Sequence, residues 1–131
     1  MNKNGKKDFK NWMGLKERIH YAKSVRTIRE GELWWSSIGE NVGSEICGKG
    51  TAFLRPVLIF KKLDKYSFLA IPLTSKEHHG SWYVPFEFNG RQQNAIVAQI
   101  EYMSVFRLQR KMGQLPDSDY QNIRNGFIAL I

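Results

Sequence analysis

The sequence predicts a mainly β domain, α+β in class: short strands forming a small barrel or curled sheet, with one C-terminal helix packed on it. Three observations carry that expectation. From Glu32 onward apolar and polar residues recur at a period of two. Glycine- and asparagine-bearing turns separate these stretches at short intervals, the spacing of small barrels. From Pro116 the period changes to that of a helix.

Each element follows from its residues. Residues 1–7 are polar and open the chain. Asp8 is placed to cap a helix reaching about Lys23, because Phe9, Trp12, Met13 and Ile19 share a face. Gly14 weakens that helix by about 1 kcal/mol relative to alanine. In residues 32–37, Leu33, Trp35 and Ser37 alternate with Glu32, Trp34 and Ser36, which predicts a half-buried strand. Residues 39–51 form a long loop with glycine at 39, 43, 48 and 50, and loops of this length in small domains are often functional. Arg55–Phe60 is a mostly apolar strand, and Asp64-Lys65 turns it into a second one over Tyr66–Leu73. Residues 81–88 alternate, with Trp82, Val84, Phe86 and Phe88 on one face. Asn89-Gly90 is the strongest hairpin signal in the chain, and Ala95–Tyr102 returns as a strand. The final helix carries Ser118 and Gln121 at capping-box spacing and an apolar stripe of Tyr120, Ile123, Phe127 and Leu130.

Composition narrows the function. The chain has 131 residues, 42% of them hydrophobic, enough for one domain with a true core. A single cysteine, Cys47, excludes an internal disulfide and a cysteine-based zinc site, and implies a reducing, cytoplasmic setting. No apolar run approaches the ~20 residues of a membrane span, and no signal peptide opens the chain. The net charge of +8 is uneven. Residues 1–29 hold nine basic and two acidic side chains, while residues 30–131 hold eleven and ten. A basic front piece, laid on the body or reaching toward RNA or an anionic surface, precedes a nearly neutral body.

No paired carboxylates, phosphate-cradling P-loop or metal-ligand spacing appears. His78 and His79 are adjacent and point apart on an extended chain; they and His20 read as structural or solvated. One pairing stands out. A hairpin centred on Asp64-Lys65 sets Arg55 opposite Thr74, joining a rigid fork of donors to a hydroxyl at one sheet end, beside the long loop. That combination suits a phosphate.

The run Arg29-Glu30-Gly31-Glu32-Leu33-Trp34-Trp35, followed by Asn41-Val42-Gly43-Ser44-Glu45 and Arg55-Pro56-Val57-Leu58-Ile59, resembles the PemK/MazF toxin family of bacterial toxin–antitoxin pairs. Ile71-Pro72-Leu73-Thr74-Ser75, Gln99-Ile100, Arg107-Leu108 and Lys111-Met112-Gly113 continue the resemblance in order. It divides the chain into a basic extension, 1–28, and a toxin-like domain, 29–131. The resemblance implies an SH3-like barrel of the MazF/CcdB type. It implies a homodimer that cleaves single-stranded RNA without a metal or other cofactor, in the cytoplasm. The family reaction is attack of a ribose 2′-hydroxyl on the adjacent phosphate, leaving a cyclic phosphate and a 5′-hydroxyl. By position, Arg55 would stabilise charge on the phosphate and Thr74 would orient the phosphate or the attacking hydroxyl. Ser44, Glu45, Ser75 and Gln99 would face RNA by the same correspondence, and Lys49 in the glycine loop is expected to join them. A cognate antitoxin would fold a disordered segment over the same groove.

The sequence departs from the family pattern at an insert, residues 48–53. It also carries Glu101 and Ser104 where many members have arginine and aspartate, and Ile96-Val97-Ala98 where some have Arg-x-Asp. Two other readings stay open: a CcdB-like toxin that binds gyrase without catalysis, and a degenerate member that binds RNA or antitoxin without cleaving.

Overall fold

The computed structural model describes residues 26–37 and 54–131. The expected N-terminal helix, and the loop that carries Ser44, Glu45, Cys47 and Lys49, lie outside the described residues.

Seven strands and one helix make up this body: β1 (Glu32–Ser37), β2 (Leu54–Lys62), β3 (Ser67–Thr74), β4 (Tyr83–Phe88), β5 (Arg91–Ile96), β6 (Glu101–Ser104), β7 (Leu108–Gln114) and α1 (Asp117–Ile128). All strand pairs are antiparallel, in the order β4-β5-β3-β2-β1-β7, with β6 added to β3. The sheet is mainly β and curled, with one C-terminal helix, as the sequence predicts.

The turn between β4 and β5 is Asn89-Gly90, both residues at positive φ (53° and 77°), and Phe88 pairs directly with Arg91. This is the two-residue hairpin expected of Asn-Gly. The return strand therefore starts at Arg91 rather than Ala95, and it does not run through to Tyr102. Leu73↔Ala95 and Ala70↔Glu101 are both pairings with β3, but their registers differ by three residues. The 3₁₀ turn Val97–Gln99 absorbs that difference and drives Val97 into the core.

The alternation expected of β1 gives way to burial of both faces. Leu33, Leu58, Phe60, Ile71 and Leu73 face one cluster, which α1 covers with Ile123 and, at its edge, Tyr120 and Phe127, joined by Leu130 from the turn after the helix. Trp34, Val57, Ile59, Phe68 and Ala70 face a second cluster, closed by Ile28, Met103, Val105 and Leu108. Central strands covered on both sides read as continuous apolar runs, which is why Val57-Leu58-Ile59-Phe60 has no polar partner face. Ile28 is buried in the second cluster, and the Arg26 guanidinium lies 5.5 Å from the Trp34 ring centroid. Trp82 precedes β4 and is 60% exposed, so it does not extend the inward row of Val84, Phe86 and Phe88.

Two further features differ from the sequence reading. The strand β7 was not expected; register shifts against β1 at Leu33/Trp34 and Trp35/Ser36 break its alternation. The capping box of Ser118 and Gln121 does not form. Helix α1 starts at Asp117 after Pro116, so Ser118 already lies inside it, and Asp117 and Asp119 favour its N-terminal end through the helix dipole. The Tyr120 hydroxyl donates to the Phe60 carbonyl at 2.6 Å and ties the helix to β2.

The buried Glu32 carboxylate accepts from the Trp34 indole N–H, the Arg29 backbone N–H and, at 2.9 Å, the Lys111 ammonium. Burial alone would push its pKa up. The hydrogen bonds from Trp34, Lys111 and Arg29 and the Lys111 charge outweigh that, and hold it below its ordinary value.

Candidate functional site

The strand registers bring a polar row to one end of the sheet. Ser36 pairs with Arg55, Thr74 with Asn94, and Asn94 with Pro85. The β2–β3 pairs Val57↔Pro72, Leu58↔Ile71 and Ile59↔Ala70, continued two residues outward, set Arg55 opposite Thr74. This is the hairpin geometry read from the sequence. The bulge between Ile59 and Lys61 lies at the far end of the hairpin and does not disturb it.

Arg55, Thr74 and Ser75 line a groove of about 450 Å³. Its apolar wall comes from Trp35 on β1, Leu73 on β3, Phe88 on β4 and Met112 on β7. Its opposite rim is the β4–β5 hairpin, which contributes Asn89, Arg91 and Gln93. The described lining therefore holds two guanidinium groups, two hydroxyls, two amides and no carboxylate. Neither Arg55 nor Arg91 forms an ion pair with any described residue. Two unpaired guanidinium groups beside hydroxyl and amide donors, with no described carboxylate, suit an anionic ligand.

The Thr74 hydroxyl oxygen accepts from the Lys76 backbone N–H at 3.1 Å. The Ser36 hydroxyl donates to the Arg55 carbonyl at 3.2 Å, fixing the β2 backbone beneath the guanidinium. The Arg55 side chain is exposed, and Thr74 is half-buried.

The remaining expected residues fall elsewhere. Gln99 is exposed in the 3₁₀ turn after β5 and does not line the groove. Glu101 opens β6, and the Ser104 hydroxyl accepts from the Phe106 backbone N–H; neither lines the groove. His78 stacks on Tyr83 with ring centroids 4.5 Å apart, and His79 lies 3.4 Å from Glu77 at an exposed position. Sequence reasoning missed Arg91, Gln93 and Asn89. The Asn89-Gly90 turn was the available signal, since it brings the start of β5 back beside the open end of β2 and β3. Among the described residues, no group of three or more His, Cys, Asp or Glu side chains is placed to hold a metal ion. None of the described helices is long and apolar enough to cross a membrane.

A family model described as the PemK-like, MazF-like toxin of type II toxin–antitoxin systems matches residues 29–131. The fold is similar to that of an endoribonuclease from a Mycobacterial species in complex with its cognate antitoxin. That match has 13% identity and a TM-score of 0.62, and covers 79% of this chain and 93% of that one. It is also similar to MazF from Deinococcus radiodurans: 16% identity, TM-score 0.61, 80% of this chain and 96% of that one. A third similar structure is the Mycobacterium tuberculosis toxin MazF-mt6, with 15% identity and a TM-score of 0.55 over 73% of this chain and 91% of that one. No curated protein sequence matches the chain.

Proposed function

Because the chain belongs to the PemK-like, MazF-like toxin family of type II toxin–antitoxin systems, we propose that it is an endoribonuclease that cuts single-stranded mRNA in the cytoplasm without a metal ion. The observation that carries this reading is the meeting of Arg55, Thr74 and Ser75 in one groove whose described lining bears no carboxylate.

The chemistry follows from the groups present. The RNA 2′-oxygen forms a bond to the adjacent phosphorus as the bond from phosphorus to the 5′-oxygen breaks. The 2′-hydroxyl loses its proton and the departing 5′-oxygen gains one, leaving a 2′,3′-cyclic phosphate and a 5′-hydroxyl. Negative charge builds on the non-bridging oxygens. A guanidinium stays charged at any working pH and presents paired donors, so Arg55 serves as the electrostatic stabiliser of that charge. It is a poor base, since its pKa exceeds ~12. The Thr74 hydroxyl orients the phosphate beside it. Arg91, on the opposite rim, attracts the neighbouring phosphate, and the Trp35 and Phe88 rings offer faces for bases.

Of the structural neighbours, one is an endoribonuclease in complex with its cognate antitoxin and others are MazE–MazF complexes. By analogy this chain forms a homodimer and binds a cognate antitoxin across the same groove. The test is direct. Purified protein is incubated with single-stranded RNA in EDTA beside the Arg55→Ala variant. Cleavage by the wild type and intact RNA with the variant is the expected result. Equal cleavage by both overturns the assignment.

A further inference from the structure

Asn94 is 3% exposed and sits between Thr74 and Pro85 in the sheet. Its Nδ2 donates to the Lys76 carbonyl at 2.9 Å. Its Oδ1 is buried with no hydrogen-bond partner among the described residues. The amide cannot gain by turning over, since that would set Oδ1 against the Lys76 carbonyl, one acceptor against another. The same Lys76 donates its backbone N–H to Thr74 Oγ1. A buried amide with one orphaned atom is a poor choice for strand stability, and an apolar side chain of similar size would serve packing better. Its effect is felt instead at the turn after β3.

We propose that Asn94 is a positioning residue for the Thr74 hydroxyl. This rests on the endoribonuclease reading above. By holding the Lys76 carbonyl, Asn94 pins the Ser75–Lys76 turn, and the pinned Lys76 N–H fills one lone pair of Thr74 Oγ1. A hydroxyl has one donor and two acceptor sites. With one acceptor site filled by Lys76, the rotamer is selected, and the hydroxyl proton and second lone pair remain for the RNA backbone in the groove. Lys76 is exposed, so without Asn94 water competes for its carbonyl and the turn loosens. Asn94 itself touches neither substrate nor groove; it acts through Lys76 and Thr74.

The experiment uses the full-length chain and the variants Asn94→Leu, Thr74→Val and the double variant. Cleavage kinetics on a single-stranded RNA, thermal melting, and amide hydrogen exchange at Lys76 are measured for each. Asn94→Leu is expected to lower kcat roughly ten- to a hundred-fold, the scale of a small misplacement of a reacting group. KM and Tm stay near wild type, and the Lys76 amide exchanges faster. The double variant is expected to be no slower than Thr74→Val alone, because Asn94 works only through that hydroxyl. A purely structural Asn94 would instead lower Tm and leave kcat within twofold, and that result overturns the inference while the endoribonuclease reading stands. Additive losses in the double variant also overturn it. If wild-type protein cuts no RNA, the endoribonuclease reading fails, and the positioning role falls with it.

Discussion

The two ends of the β2–β3 hairpin use polar groups in opposite ways. At the closed end, Asp64 accepts from the Tyr66 backbone N–H and the Ser67 hydroxyl, both at 2.8 Å. Those hydrogen bonds, led by Ser67, hold the Asp64 carboxyl below its ordinary pKa. The Asp64 carboxylate is spent on shaping the turn. At the open end, the Arg55 guanidinium has no described acid beside it, and the Thr74 hydroxyl donates to no described residue. One hairpin thus has a closed end that hydrogen-bonds to itself and an open end that faces the groove, and these should respond to mutation in different observables.

The largest expected effect is on chemistry without stability. Arg55→Ala should slow RNA cleavage about 100- to 1000-fold, the usual cost of removing one preorganised donor, while Tm moves little because the side chain is exposed. The converse is expected midway along the hairpin. Leu58 is fully buried, so Leu58→Ala should cost about 2–5 kcal/mol of stability in denaturant unfolding; the folded fraction should cut RNA at the wild-type rate. Next comes Arg91→Ala, which should weaken RNA binding, measured by titration at several salt concentrations, and lower the salt slope by about 1. Smaller again is an acid effect. Because the folded pKa of Glu32 is depressed, protonation favours unfolding. Its contribution is complete above pH 4.5 and is lost as pH falls through the lowered folded value. Melting curves should therefore fall more steeply toward acid for the wild type than for Glu32→Gln. The smallest effect belongs to Asp64→Ala, a slight drop in Tm at neutral pH with cleavage unchanged. A loss of cleavage there would erase the contrast between the two ends.

The open end was largely legible in the sequence because its geometry is arithmetic. A turn at Asp64-Lys65 fixes which residues face one another, and a period of two carries that register outward to Arg55 and Thr74. The Asn89-Gly90 hairpin was legible for the same reason. What escaped were features set by tertiary packing. Sheet β7 pairing depends on bulges that hide its alternation. The break at Val97–Gln99 arises because β3 shares one edge between β5 and β6. The places of Arg91 at the groove rim and of Asn94 beside Thr74 depend on how β5 pairs with β3, which local pattern does not encode. The helix stripe of Tyr120, Ile123, Phe127 and Leu130 was plain, yet its cap was not, since the helix begins at Asp117, two residues before a Ser118 cap would allow.

The most direct test of the central claim is to map RNA ends on total RNA treated with the wild-type protein in EDTA, beside Arg55→Ala. Wild type should produce new ends at single-stranded sites, each a cyclic phosphate facing a 5′-hydroxyl, and Arg55→Ala should leave the RNA intact. Identical end maps for the two proteins, or growth arrest with intact RNA and co-purifying gyrase, would contradict the assignment.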